Sequence, residues 1–129
     1  RNGAILGFHE GIHFGSSGGT VQGVRLGDNQ QAGIVTNGGA VITGNVVFGS
    51  AYGIIVAGGA GVKASVTNNS SNGNSQDGIH VFPNAVGSVV SGNRVLSNAN
   101  SGIYSEAPGA TFTGNTANAN GTANSVYPE

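Results

Sequence analysis

A short marker repeats along this chain of 129 residues, and it constrains the fold more than any other feature. The marker is a Gly-Ile dipeptide, found at Gly11-Ile12, Gly33-Ile34, Gly53-Ile54, Gly78-Ile79 and Gly102-Ile103. Successive copies lie 22, 20, 25 and 24 residues apart. Self-similarity at such a period is typical of solenoids, in which each repeat is one structural unit stacked on the next.

Two further sets of positions keep the same register. One set precedes the Gly-Ile pairs by eight or nine residues and comprises Asn2, Val24, Asn45, Asn69, Asn93 and Asn115. The other set lies five residues further on and comprises Gly7, Asn29, Ser50, Asn74, Asn98 and Asn120. Because both sets hold their register over the chain, we interpret the sequence as a series of similar units, and we call equivalent positions in successive units a column.

The units have the character of β-structure. Each contains short runs of β-branched residues with near alternation of apolar and polar positions, and Gly, Asn or Ser interrupts the runs. One unit cannot bury its apolar side chains alone, but coils stacked about 4.8 Å apart form parallel sheets around a continuous core. We therefore predict an all-β, single-stranded parallel β-helix of about five coils over residues 1–121, with a tail at 122–129. Two inward columns are expected: Ile12, Ile34, Ile54, Ile79 and Ile103, and Ile42, Val66, Val90 and Phe112.

The units resemble the parallel β-helix repeat of the pectin-lyase-like superfamily. The resemblance is carried by the Gly-Ile-x-Val pattern and by segments such as AVITGNVV at 40–47 and SVVSGNRV at 88–95, and it covers most of residues 2–121. It implies a right-handed helix. It does not choose an activity, because that superfamily includes polysaccharide lyases, hydrolases, epimerases and inert solenoids, and fold does not determine function.

The Asn column predicts a ladder of side chains at one turn of the helix. Asparagine tolerates left-handed backbone geometry, and stacked amides can bond to one another along a fibre or solenoid axis. We expect this ladder to run through Asn45, Asn69, Asn93 and Asn115, and Val24 to interrupt it.

Composition narrows the classes of partner. Charged residues make up 7% of the chain, and the four cations are Arg1, Arg25, Lys63 and Arg94, so we expect no nucleic-acid binding. The chain has no Cys and no apolar run long enough for a membrane span, and we expect neither a metal nor a cofactor. Since Asn2 already belongs to a column, the chain is expected to start in mid-coil, as the C-terminal part of a longer solenoid. The alternative is self-association through an open N-terminal coil.

The candidate binding residues lie two positions after each marker Gly, on the expected outer face. This outward column reads His13, Val35, Ile55, His80 and Tyr104, and Asp77 and Glu106 lie close to it. An aromatic ring and a His can stack on a sugar, and a His, a Tyr and two carboxylates could perform acid–base chemistry on a uronic acid. The alternative is an ordinary half-exposed face. Catalysis is disfavoured because Arg25, Lys63 and Arg94 are assigned to three different columns and so supply no converging cations.

Two other patterns in the sequence bear on function. The string His9-Glu10-Gly11-Ile12-His13 matches the H-E-x-x-H zinc signature, but that signature requires a helix and these residues should open a strand. Thr43, Thr67, Ser91 and Thr113 align two residues before the Asn column and should point outward. Such a hydroxyl array could bind ice or a crystalline polysaccharide, although Thr is also an ordinary residue of exposed strands.

These observations favour a non-catalytic β-helical repeat module, as a segment of a larger secreted or cell-envelope protein, that contacts carbohydrate such as polysaccharide or other protein chains. The first alternative is the C-terminal part of a polysaccharide lyase or epimerase acting on uronic-acid polymers. The second is a self-associating structural solenoid.

Overall fold

The computed structural model describes residues 2–59 and 63–127. Its described residues form seventeen short strands and no helix. The strands are β1 Gly3–Leu6, β2 Glu10–Phe14, β3 Gly19–Gln22, β4 Val24–Gly27, β5 Ala32–Thr36, β6 Ala40–Thr43, β7 Val46–Phe48, β8 Tyr52–Val56, β9 Ser65–Thr67, β10 Ser70–Asn72, β11 Ile79–Val81, β12 Val89–Ser91, β13 Arg94–Leu96, β14 Ser101–Ser105, β15 Thr111–Thr113, β16 Thr116–Asn118 and β17 Ala123–Val126.

The strands form three parallel sheets that run the length of the stack. Sheet A has the order β1-β4-β7-β10-β13-β16, sheet B has β2-β5-β8-β11-β14-β17, and sheet C has β3-β6-β9-β12-β15. Every third strand therefore returns to the same sheet, which is the topology of a parallel β-helix and confirms the predicted all-β fold. The stack has six turns in sheets A and B, where about five coils were expected.

Two departures from the predicted coils lie at the ends of the stack, and the first of them accounts for the sixth turn of sheet B. At the C-terminal end, part of the segment expected as a tail is the strand β17, which pairs in parallel with β14. At the N-terminal end, Gly3 rather than Asn2 aligns with Val24, so the first coil was assigned one residue out of register. Gly7 is displaced in the same way, because the backbone N–H of Phe8 bonds to the side chain of Asn29.

The two predicted inward columns are confirmed. Strand pairing aligns the Ile column from Ile12 to Ile103 and the second column from Ile42 to Phe112. Their central members are completely buried, and Ile12 and Phe112 pack against the core at its two ends. Burying one such side chain stabilises the fold by about 1.5 to 3 kcal/mol.

Steric crowding explains why glycine is the first residue of each Gly-Ile marker. A Cβ on Gly33 would lie 2.9 Å from the carbonyl oxygen of Gly53, and a Cβ on Gly78 would lie 2.7 Å from that of Gly102. Each marker Gly therefore faces the backbone of the next coil at a distance that excludes a side chain. The dipeptide recurs because the stack needs Gly for this close approach and Ile for the core.

The predicted Asn ladder joins sheet C to sheet A. Asn45 donates through Nδ2 to Oδ1 of Asn69 at 3.0 Å, and the same bond links Asn69 to Asn93 and Asn93 to Asn115. Each acceptor oxygen also receives the backbone N–H of the preceding Asn. Val24 ends the run of amides but keeps its backbone bond, since its N–H donates to Asn45 at 2.9 Å.

A second ladder, not predicted as such, joins sheet A to sheet B. Asn74 donates through Nδ2 to Oδ1 of Asn98 at 2.9 Å, and Asn98 donates in the same way to Asn120. Ser50 replaces Asn within this ladder and offers only a hydroxyl to the N–H of Asn29. As a result, Nδ2 of Asn29 is buried without a hydrogen-bond partner among the described residues.

The expected left-handed geometry of the ladder residues is wrong. The positive φ values fall one residue earlier, at Gly44 (64°), Asn68 (56°) and Gly92 (64°). That preceding residue turns the chain, and the ladder Asn then points its amide inward to bond along the stack. Asparagine is thus selected at these positions for its amide, while the turn needs a residue that accepts positive φ.

Candidate functional site

The predicted outward column lies in register on the outer face of sheet B. Strand pairing aligns His13, Val35, Ile55, His80 and Tyr104 on β2, β5, β8, β11 and β14. Val35 and Ile55 are only 6% and 7% exposed, because they form a small apolar cluster with Ala32 against which Tyr52 packs. This cluster separates the polar residues of the column into two groups.

The larger group is centred on His80 and the buried carboxylate of Asp77. Oδ1 of Asp77 accepts the backbone N–H of Ser101 at 2.9 Å and Nδ2 of Asn100 at 2.8 Å, and Oδ2 lies 2.7 Å from Nδ1 of His80. Because a carboxylate oxygen accepts, Nδ1 carries the proton and the imidazole ring is fixed in orientation. Nε2 of His80 lies 3.8 Å from Oε1 of Glu106 and has no hydrogen-bond partner among the described residues.

Aromatic rings surround His80 on three sides. The ring centroid of His80 lies 4.5 Å from that of Phe82, 4.9 Å from that of Tyr104 and 5.6 Å from that of Tyr52. Tyr52 lies on β8, Phe82 directly follows β11 and Tyr104 lies on β14, so the three rings span three coils, or about 10 Å along the stack. Phe82 is 39% exposed, and Tyr52, His80 and Tyr104 are partly exposed. We call Tyr52, His80, Phe82 and Tyr104 the aromatic cluster.

The structure therefore brings four of the five predicted binding residues together, namely Asp77, His80, Tyr104 and Glu106. It places His13 apart from them, three strands away on β2, or about 14 Å along the stack. Nδ1 of His13 lies 2.6 Å from Oε2 of Glu10, and Nε2 lies 2.9 Å from Nδ2 of Asn37. His13 and Glu10 lie on strand β2, so the H-E-x-x-H string is not helical, as expected.

Sequence reasoning missed Tyr52, Phe82 and Asn100. Phe82 follows His80 by two positions, and period 2 along a strand puts both on the same face, so this signal was present in the sequence. Tyr52 was not recoverable in this way, because it lies two residues before the inward Ile54 yet packs on the outer cluster. The contact of Asn100 with Asp77 depends on how two turns stack, and no local pattern encodes that.

The assignment of the arginines to separate columns is wrong. Arg25 pairs with Val46, Val46 with Ser70, and Ser70 with Arg94, so both arginines share one outward column of sheet A. The guanidinium of Arg25 lies 4.5 Å from the ring centroid of Phe48 in a cation–π contact. Both arginines are nevertheless on sheet A, while the aromatic cluster is on sheet B.

Within the described ranges, no group of three His, Asp or Glu side chains is arranged to hold a metal ion. The same part of the chain contains no helix long and apolar enough to cross a membrane. The site is thus an open face of a sheet, built from aromatic rings, one carboxylate–imidazole pair and one exposed carboxylate.

Three stacked parallel sheets and two internal polar ladders define a parallel β-solenoid. The family model described as "Right handed beta helix region" matches residues 10–128, and the chain belongs to that family. This membership confirms the predicted right-handed helix and agrees with the resemblance to the pectin-lyase-like superfamily. No curated protein and no solved structure matched the chain.

Proposed function

We propose that this β-helix domain is a non-catalytic module that holds a polysaccharide chain along the outer face of sheet B. The observation that supports it is the aromatic cluster, which places three aromatic rings around one imidazole on an open face. Aromatic rings offer flat apolar area to the faces of sugar rings, and the Tyr hydroxyls provide polar contacts at their edges. The span of three coils suits a linear ligand longer than one sugar.

The polar surroundings of the cluster favour a carbohydrate over an apolar partner. Glu106 has an exposed carboxylate beside His80, with 46% of its side chain accessible, and it can accept hydrogen bonds from sugar hydroxyls. Tyr104 packs on the His80 ring, which Asp77 holds in place, so its ring is positioned before the ligand arrives. A rigid face loses less side-chain entropy on binding than a mobile one.

The geometry of His80 argues against catalysis by this face. A general base must come within about 2.6 to 3.2 Å of the proton that it removes, either directly or through one water. Nε2 of His80 is buried, so a substrate atom cannot approach it unless the ring or Glu106 moves. Arg25 and Arg94, which could neutralise a substrate carboxylate, lie on a different sheet.

One observation favours the alternative of a polysaccharide lyase or epimerase, namely the Asp77–His80 pair itself. A buried carboxylate that fixes the tautomer of a His is a recurrent arrangement in acid–base catalysis. If Glu106 swings away, Nε2 becomes a base beside Tyr104. This alternative predicts product release from uronic-acid polymers, whereas the binding module releases none.

The proposed location follows from the proposed ligand. Polysaccharides that a β-helix can hold along its length are components of cell walls and extracellular matrices, so we propose that the domain is part of a secreted or cell-envelope protein. Fractionation of the source cells tests this, and recovery of the intact protein in the cytoplasm alone would contradict it.

The test of binding is retention of the domain on immobilised neutral and acidic polysaccharides, with soluble products assayed in parallel. We expect retention without product, lost in Phe82→Ala and Tyr104→Ala. The matched control is Phe48→Ala, which removes a half-buried ring from the outer face of sheet A. Absence of retention on every polysaccharide would refute the proposal, and release of product would favour the enzyme. Equal loss in Phe48→Ala would mean that the effect is not specific to sheet B.

A further inference from the structure

The outer face of sheet C is a regular array of small side chains. Strand pairing aligns two outward columns on its five strands. The first column is Thr20, Val41, Ser65, Val89 and Thr111, and the second is Gln22, Thr43, Thr67, Ser91 and Thr113. All ten residues are exposed or half-exposed. We call this set the hydroxyl–methyl face.

The chemistry of this face is uniform. None of its ten residues is charged or aromatic, and all but Gln22 are Thr, Ser or Val. Thr and Val share a branched Cβ with a γ-methyl group, so the face presents methyl groups and hydroxyls at equivalent positions. Neighbouring coils repeat about every 4.8 Å, and successive outward residues on a strand repeat about every 6.7 Å. The result is a two-dimensional grid.

The grid is also rigid. Oγ1 of Thr67 bonds to Oγ1 of Thr43 at 3.1 Å, which holds the two hydroxyls in line along the stack. Seven of the ten residues are Thr or Val, and such β-branched side chains have restricted χ1 angles, so little rotamer entropy remains to be lost when they are immobilised. Beneath the face, the fully buried Ile42, Val66 and Val90 fix the strands.

We propose that the hydroxyl–methyl face binds ice. Ice is an uncharged, periodic lattice of hydrogen-bond donors and acceptors, and this face complements it in charge and in regularity. Hydroxyls can bond to lattice waters, and exposed methyl groups at fixed spacing order the water between them. A charged side chain would keep its own hydration shell and disturb the lattice, and none of the ten residues carries a charge.

A crystalline polysaccharide is the competing occupant, and the residue types disfavour it. Proteins that bind sugars commonly pack aromatic rings against the faces of the sugar rings. The aromatic cluster, which could do this, lies on sheet B. The hydroxyl–methyl face has no aromatic residue. The inference is therefore independent of the function proposed for sheet B and uses a different surface.

The experiment measures ice growth in a solution of the domain, as the gap between the melting and freezing temperatures of a single crystal. We expect a gap and faceted crystals for the wild-type protein, and loss of both in Thr67→Tyr, which puts a large ring at the centre of the grid. The matched control is Ser70→Tyr, since Ser70 is also outward, half-exposed and central, but on sheet A. Circular dichroism checks that both variants fold.

Each other outcome overturns the inference. Normal ice growth in a solution of the wild-type protein would refute ice binding. If the gap between melting and freezing temperatures persists in Thr67→Tyr, or disappears equally in Ser70→Tyr, sheet C is not the ice-binding face. Binding to microcrystalline cellulose or chitin that is lost in Thr67→Tyr, with no effect on ice, would assign the face to a crystalline polysaccharide instead.

Discussion

The Asn ladder makes a quantitative prediction, because two buried asparagines differ sharply in what they bond. Asn69 makes four side-chain bonds: Oδ1 accepts both N–H groups of Asn45 at 3.0 Å, and Nδ2 donates to Ile42 O and Asn93 Oδ1. The side chain of Asn29 accepts one bond, from Phe8, and its Nδ2 has no partner. Asn69→Ala should therefore cost far more than Asn29→Ala.

The magnitudes follow from the bonds. A buried hydrogen bond contributes about 0.5 to 1.5 kcal/mol, and a buried group left unpaired costs about 1 to 3 kcal/mol, so we expect Asn69→Ala to lose about 3 to 5 kcal/mol. Asn29→Ala removes one partly buried bond and one unpaired donor, so about 1 kcal/mol or less is expected. Asn29 and Asn69 are 1% and 2% exposed, so the two substitutions leave cavities of similar size and this cost cancels in the comparison.

Thermal and urea unfolding followed by circular dichroism measure this difference. For a chain of this length each kcal/mol lowers Tm by roughly 3 to 5 °C, so a difference of about 2 to 4 kcal/mol between the two variants should separate their Tm values by about 6 to 20 °C. Asn93→Ala, which removes an equivalent set of bonds, serves as a replicate within the same ladder. Equal destabilisation by Asn69→Ala and Asn29→Ala would refute the reasoning, because volume and not hydrogen bonding would then set the cost.

Two further predictions test the assignment of faces and turns. Ile79→Asp should unfold the domain, because it places an unpaired charge at a fully buried position. His80→Ala, one residue away on the outer face, should leave the domain folded. Similar Tm values for the two variants would contradict the inward and outward assignments. Gly53→Ala should destabilise the fold strongly, since the added Cβ would overlap the Ser71 hydroxyl. Gly44→Asn should cost under about 1 kcal/mol, because the added Cβ has no atom within 4 Å and Asn68 occupies the equivalent turn one coil later with positive φ. Unfolding in urea measures both pairs.

The sequence predicts the inner surface of this protein better than its outer surface. The Ile column and the Asn45–Asn115 ladder were predictable because stacking makes each coil repeat the demands of its neighbour, so the pattern appears several times in one chain. The register of the first coil was predicted one residue out because Asn2 matches the column in residue type, although it is Gly3 that aligns with Val24. The segment Ala123–Val126 lacks the Gly-Ile marker and so carries no sequence signal for a further coil, although it forms the terminal strand of sheet B.

The outer contacts were harder to predict because each occurs once. Asp77 and His80 are close in sequence, and their proximity was anticipated, but the bonds from Asn100 and Ser101 to Asp77 depend on the stacking of two turns. Arg25 and Arg94 share a column that the sequence contains plainly, since each follows the Asn column by one residue.

The separation of inner and outer positions explains how one solenoid can present unlike faces. The buried Ile, Val and Asn columns hold the stack, so the outward columns of each sheet are free to differ. Sheet A then presents two arginines, sheet B presents the aromatic cluster with its carboxylates, and sheet C presents an uncharged grid. Because sites more than about 7 to 10 Å apart without shared partners act independently, substitutions on the aromatic cluster and on the hydroxyl–methyl face should have additive effects on stability. Each face can therefore be tested without disturbing the others, and the function of the domain is a property of a face and not of the fold.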